Sequence, residues 1–308
     1  MIRFKKNSSI SSPAIGELSK KFVRPLLYKF VVSSRMFYKC MGWRRSKLKL
    51  SYVEKFGDTV RFGPLAGTRL RVEWSELPKF LGTYEAQLHP YLYQVISHPY
   101  DLILNIGCAE GYYAVGLARA IPHSDVWAYD TDPVQRARCK DNVILNDLSS
   151  RISIGDEFEG QMFGNFPEER VLVVCDVEGH EVSLLDPSKH FGLETMDLIV
   201  ELHEDACTTI RDLFQERFAN THRIVHVPRQ LFGDLGQIES LFDSEMDQLA
   251  AIYENRFGRT SWLVLMSNRW ITDEQSSKER ITDSLSNQQV HLTVERGVVL
   301  GTHASAPQ

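Results

Sequence analysis

Two short stretches hold the residues best suited to chemistry. The first is Asp176-Val177-Glu178-Gly179-His180-Glu181, which follows the apolar run Val171–Cys175. The second is Glu201-Leu202-His203-Glu204, at the end of the apolar run from Leu198. An apolar strand that ends in three carboxylates and a histidine is costly to build without a use, because charge resists removal from water. Histidine, with an ordinary pKa of about 6.5, can take a proton from a hydroxyl at neutral pH. His180 and His203 are therefore the candidate bases. Each has a quieter alternative: His180 could cap a helix, and His203 could hydrogen-bond a neighbouring loop. Asp176, Glu178, Glu201 and His203 could also offer oxygen-rich ligands to magnesium or manganese. They lack a compact fixed spacing, so none is assigned as a metal ligand.

A third stretch decides what these residues serve. Leu102-Ile103-Leu104-Asn105-Ile106 is an apolar run of strand length, and Gly107-Cys108-Ala109-Glu110-Gly111 is a turn. Tyr113, Ala114, Leu117 and Ala118 then recur at helical spacing. Strand, glycine turn and helix make half of a nucleotide-binding βαβ unit, whose helix start offers unpaired N–H groups. A dinucleotide fingerprint needs glycine at the first, third and sixth turn positions. Those positions hold Gly107, Ala109 and Tyr112, so the nicotinamide reading fails at two of three. Glycine at the first, third and fifth positions fits better, with Ala109 as the departure. That spacing resembles the first motif of class I S-adenosylmethionine (SAM) methyltransferases. Asn105 stands where an acid is usual and can still hydrogen-bond the amino group of the methionine part.

The elements that must hold these stretches follow in regular alternation. Strand Val126–Tyr129 ends at Asp130, and Asp132 caps a helix that opens on Pro133 and runs to about Asn146. Arg151–Ile154 is a third strand, followed by Asp156. Val171–Cys175 and Leu198–Leu202 are the fourth and fifth strands. A helix from about Thr208 to Phe218 precedes strand Ile224–Val227. Another from about Glu239 to Asn255 precedes strand Trp262–Met266. This pattern predicts a Rossmann-like α/β fold: a seven-stranded, mainly parallel sheet with helices on both faces. Ligands of such sheets bind at the carboxyl ends of the strands, at the switch point. Asp130 there can accept both ribose hydroxyls of a nucleoside, and Asp156 can accept from an adenine amino group.

Ahead of the core, Thr59–Phe62 and Arg69–Val72 alternate around Gly63-Pro64-Leu65-Ala66-Gly67, which predicts a β-hairpin. Gly82-Thr83-Tyr84-Glu85 leads into a helix to about Ser97. Together with the glycine turn, D-x-E-G-x-E at 176–181 and E-x-H at 201–203, this stretch resembles the FkbM-like family of SAM-dependent methyltransferases. The resemblance covers roughly Phe80 to His203, with a weaker echo at Arg256 to Val264. It implies SAM as cofactor and methyl transfer to a hydroxyl of a sugar, glycan or small metabolite. In-line displacement helped by a histidine base follows from the chemistry of that transfer, and a divalent metal is the other route to activating the hydroxyl. Glu85, Asn105, Gly107, Cys108, Ala109, Gly111, Asp130 and Asp156 would then bind SAM. Asp176, Glu178, His180, Glu201 and His203 would carry the chemistry. The alternative is a non-catalytic SAM-binding or scaffold protein, favoured by Asn105 and Ala109.

Charge bounds the partners. Of 308 residues, the first 49 carry thirteen Lys or Arg and one acid, Glu17, a net +12. The remainder carries 22 basic and 39 acidic residues, a net −17. An acidic body repels phosphate and argues against nucleic acid. The basic arm interleaves Phe22, Leu26, Leu27, Phe30 and Val31 with its cations from Glu17 to Trp43. It reads either as amphipathic helix packed on the body or as a peripheral membrane contact through residues 17–49. Five scattered cysteines without a C-x-x-C pair fit a reducing cytoplasm. The expected organisation is a basic arm at 1–50, a hairpin and helix at 51–98, the SAM-binding domain at 99–268 and a polar tail at 269–308.

Overall fold

Strands that are apolar along their whole length have to be covered on both faces, and the three central ones are. β1 (Leu102–Ile106) and β4 (Val171–Cys175) are buried throughout, and β5 (Asp197–His203) until its last residue. With β2 (Asp125–Tyr129), β3 (Ile152–Gly155), β6 (His222–Pro228) and β7 (Thr260–Ser267) they form one sheet in the order β3-β2-β1-β4-β5-β7-β6. β7 runs antiparallel to β5 and β6, and the β1, β2, β3, β4 and β5 pairings are parallel. This is the expected Rossmann-like arrangement of seven strands, mainly parallel. The computed structural model describes residues 35–203, 210–230, 233, 236–254 and 260–270.

Each face of the sheet has its own core. On one, Ile103, Val126 and Leu172 pack with Val115 and Ala118 of α4 (Tyr112–Ala120) and with Cys139 and Val143 of α5 (Pro133–Leu145). On the other, Leu104, Val173 and Leu198 pack with Phe163, Phe214 and Phe218. Phe214 and Phe218 belong to α7 (Ile210–Phe218), which follows the short α6 (Glu181–Leu184). α1 (Arg35–Phe56), α2 (Leu77–Leu81) and α3 (His89–Ile96) add Tyr52, Phe80 and Leu92 to the first core. The elements before the sheet therefore share its core.

The hairpin expected at 59–72 is reduced to one bridge, Thr59 with Arg69. Two cross-strand bonds flank that bridge, from the Val60 N–H to the Thr68 carbonyl at 2.7 Å and from the Leu70 N–H to the Asp58 carbonyl at 2.9 Å. The Arg69 and Arg71 N–H groups donate to Asn146 and Asn142 side chains at 2.9 and 2.8 Å, which ties this loop to α5. The helix expected at 239–255 also divides. Ser244 accepts from the Asp247 N–H and starts α8 (Glu245–Ile252), after a 3-10 turn at Gly236–Leu241. Left-handed Gly111 delays α4 to Tyr112, and the helix leading on from Glu85 opens with a 3-10 turn, Ala86–Leu88, before α3. As expected, Asp132 caps α5, accepting from the Val134 N–H.

The described part of the basic arm docks on the body. α1 runs through residue 50, where the arm was expected to end. Arg44 pairs with Asp247 at 2.6 Å, Arg45 donates to the Tyr253 carbonyl at 2.6 Å, and Lys49 to the Val72 carbonyl at 2.7 Å. Trp43, Lys47 and Leu50 face outward, with the Lys47 ammonium over the Trp43 ring. The arm before residue 35 and the tail from residue 271 lie outside the described residues. Among those described, no helix is long and apolar enough to cross a membrane.

Two buried polar contacts give tests of this framework. Asn142 is fully buried and also donates to the Glu110 carbonyl at 2.8 Å. Asn142→Ala leaves two backbone groups without partners, at about 1–3 kcal/mol each. The urea midpoint should fall with the slope unchanged. Burial raises the Glu110 carboxyl, but the ion pair with Lys79 outweighs it and holds the group below its ordinary 4.5. A depressed carboxyl stabilises above its unfolded pKa and loses that contribution as pH falls through the folded value. Glu110→Gln should therefore lower stability at neutral pH and flatten the acid limb below pH 4.5, read by chemical denaturation across pH.

Candidate active site

The site forms where β1 and β4 diverge. Their connections leave in opposite directions in the strand order, which opens a crevice at their carboxyl ends. The glycine turn after β1 is pinned from β2: the Gly107 and Cys108 N–H groups both donate to the Tyr129 carbonyl at 2.8 Å. Ala109 has φ 45° and its N–H donates to Asp130 Oδ2 at 2.8 Å. Asp130 Oδ1 accepts from the Asp132 N–H at 2.9 Å. Asp130 thus already organises the turn and the next helix, and each oxygen keeps acceptor capacity.

The glycines serve packing inside the protein. A Cβ on Gly107 would lie 1.6 Å from the Asp176 carbonyl oxygen. One on Gly111 would lie 2.7 Å from Cys139 Sγ of α5. Residues 107 and 111 thus allow the close approach of β4 and α5 to the turn.

A cleft of about 500 Å³ lies over these strand ends. Six residues named from the sequence line it: Gly107, Asp130, Asp156, Asp176, Glu178 and His180. Tyr129 and Phe158, their rings edge to face at 5.1 Å, add an aromatic wall beside Asp156. Asp156 accepts from the Glu157 N–H at 2.9 Å, which with its own backbone N–H holds the carboxyl below its ordinary value. Neither aromatic was selected from sequence, where only their position beside strand-end aspartates could have marked them.

Other named residues stand back from the cleft lining. Asn105 is buried in β1, where its amide donates to the Val174 carbonyl at 3.3 Å. Its Oδ1 is buried with no hydrogen-bond partner among the described residues. Glu85, fully buried with φ 50°, accepts from the Tyr113 hydroxyl, and its N–H donates to Glu254 Oε1 at 2.6 Å. It locks the segment before the sheet onto α4 and α8. Cys108 is buried against Cys139, and their contact and burial push its thiol far up, so it is no nucleophile. Glu201 is buried in β5 opposite Trp262 of β7.

The histidines separate. His180 starts α6 through its backbone, without a side-chain cap bond, and its imidazole is exposed on the cleft wall. His203 ends β5 with Nδ1 2.7 Å from Glu181 Oε1. Its Nε2 lies 3.7 Å from Asp176 Oδ1 and 3.3 Å from Glu178 Oε2. Partial burial pulls His203 down, but Glu181, Asp176 and Glu201 outweigh it and raise the imidazole to about 9. The ring therefore holds its proton more firmly than a free imidazole does. Glu181 received no role from sequence, and its full burial under His203 is what reveals one.

No protein-family model and no curated protein matches the chain. Solved structures similar to it include several methyltransferases. The human methyltransferase 10 domain containing protein shares 13% identity over 75% of this chain and 99% of its own, with TM-score 0.43. The METTL16 methyltransferase domain shares 13% over 74% and 96%, with TM-score 0.42. Precorrin-6y C5,15-methyltransferase from Geobacter metallireducens shares 11% over 57% and 87%, with TM-score 0.38. The strand order carries the fold assignment without them.

The two glycine environments predict different costs. Gly107→Ala meets both a left-handed backbone, φ 79°, and the Asp176 carbonyl. Gly179→Ala, at φ 106°, meets open space. The Gly179 variant should lose about 1–2 kcal/mol, the cost of a left-handed side-chain residue. The Gly107 variant should lose clearly more in the same thermal or urea measurement.

Proposed function

We propose that this chain is a SAM-dependent O-methyltransferase of the FkbM-like kind, acting on a hydroxyl of a sugar, glycan or small metabolite. The observation that carries the reading is the set of carboxylates at successive strand ends around one cleft: Asp130 after β2, Asp156 after β3 and Asp176 after β4. The cleft volume of about 500 Å³ suits a nucleoside-sized ligand, since small-molecule pockets span roughly 300–1,000 Å³. In this reading Asp130 accepts the ribose hydroxyls and Asp156 the adenine amino group, with Tyr129 and Phe158 beside the flat ring. The buried Asn105 Oδ1, two residues before Gly107, suits an ammonium donor.

SAM, when bound, supplies a methyl group on a sulfonium, reactive toward an oxygen nucleophile in line with the carbon–sulfur bond. The protein's task is alignment and exclusion of water. The acceptor oxygen forms the new bond to carbon, and the electron pair of the broken bond stays on sulfur. The hydroxyl proton goes to His180, which lines the cleft beside Glu178 and whose ring is not engaged as a cap. His203, held by its carboxylates, positions the segment from Asp176 to Glu181.

Calorimetry with SAM tests the cofactor assignment. Asp130→Asn weakens charge-assisted contacts worth about 1.5–3 kcal/mol each, so affinity should fall at least tenfold in a folded variant. Unchanged affinity would remove Asp130 from the ribose site. Turnover to S-adenosylhomocysteine with an acceptor extract tests the reaction. His180→Ala should lower it about 10²–10⁴-fold with SAM binding intact. SAM binding without turnover by the unaltered chain would favour the scaffold alternative.

A further inference from the structure

We propose that Asp176, Glu178 and His203 form a binding site for a divalent cation of the manganese type. One ligand atom from each lies within 4.8 Å of the other two, and His203 Nε2 faces Asp176 Oδ1 and Glu178 Oε2. The spacings matter more than the cluster. At 3.7 and 3.3 Å, the two carboxylate oxygens are beyond a good hydrogen bond to Nε2. Donors about 2.1 Å from a shared ion stand roughly 3.0–3.4 Å apart in octahedral or tetrahedral geometry. The 3.3 Å spacing falls inside that range and the 3.7 Å spacing a little outside it, both wider than a good hydrogen bond and within reach of a shared ion after a small side-chain shift.

The support behind the imidazole is independent of the two exposed-side carboxylates. Glu181 is 0% exposed, and its Oε1 takes His203 Nδ1 at 2.7 Å. This fixes which nitrogen faces Asp176 and Glu178. A buried carboxylate on the far nitrogen of a histidine is the usual outer-shell support of a metal-binding imidazole. Glu181 Oε2 is buried with no hydrogen-bond partner among the described residues, so the carboxylate is held there without a full set of bonds. Three carboxylates around one imidazole also leave an excess of negative charge, which a dication would offset. The two carboxylates suit manganese, and the imidazole nitrogen sets the site apart from the all-oxygen ligand sets of calcium and magnesium.

The role rests on the methyl-transfer reading, but the binding does not. Asp176 and Glu178 line the cleft next to His180. A cation there would polarise the acceptor hydroxyl and ease loss of its proton to His180.

The test uses the full chain, stripped with chelator and titrated with manganese chloride alone. Free Mn²⁺ is followed by electron paramagnetic resonance. One site per chain is expected. Glu178→Gln, whose side chain is 85% exposed and whose loss does not threaten the fold, should weaken binding at least tenfold. His203→Gln should abolish it. Glu181→Gln should weaken it about 10–100-fold, as outer-shell changes do. Glu157→Gln, a cleft acid outside the three ligands, should leave it unchanged. Absence of binding at millimolar Mn²⁺, or binding indifferent to Glu178→Gln and His203→Gln, overturns the site. SAM calorimetry on the same metal-free protein separates the two proposals. SAM binding without Mn²⁺ binding overturns the cation site alone; Mn²⁺ binding without SAM binding overturns the methyltransferase reading alone.

Discussion

The passage of Gly107 beneath the Asp176 carbonyl is the constraint on which the site depends. The centre of a parallel sheet brings the ends of β1 and β4 together, and a Cβ at residue 107 would stand 1.6 Å from that oxygen. Only because residue 107 has no side chain can the two connections part from adjacent strand ends. Their parting opens the crevice and sets the glycine turn beside the acidic segment. The Tyr129 carbonyl and the Asp130 carboxylate then fix the turn from the β2 side.

Local strain gathers in the stretches singled out for chemistry. Four described non-glycine residues have positive φ, and three of them, Glu85, Ala109 and Glu178, belong to the stretches selected for their chemistry. Each costs about 1–2 kcal/mol as a left-handed residue. Tertiary contacts hold them: the Tyr113 hydroxyl and Glu254 on Glu85, and Asp130 on the Ala109 N–H. Glu178 is the exposed one, and its carboxylate is turned to His203.

The segment before the sheet supports this geometry from behind. Lys79 pairs with Glu110 inside the glycine turn, and Asn142 joins that same turn to the loop at Arg71. α1 is clamped to α8 through Arg44 and Asp247. The positive charge of the arm thus has a partner within the protein over residues 44–49, where three cations meet acids or carbonyls of the body.

The amino-acid sequence determined the sheet and its switch point because those depend on local period and on end signals. Apolar runs gave β1 and β4 to the residue, and Asp132-Pro133 marked the start of α5. It also marked which strand ends carry acids. It could not show how short the hairpin's pairing is, or that the outward-facing N–H groups of Arg69 and Arg71 would meet Asn146 and Asn142, over seventy residues away. Nor could it tell His180 from His203. Both follow apolar runs and both sit among acids. Only the fold buries Glu181 under one ring and leaves the other exposed on the cleft. Burial and long-range proximity set charge and hydrogen bonding, and neither is a property of spacing along the chain.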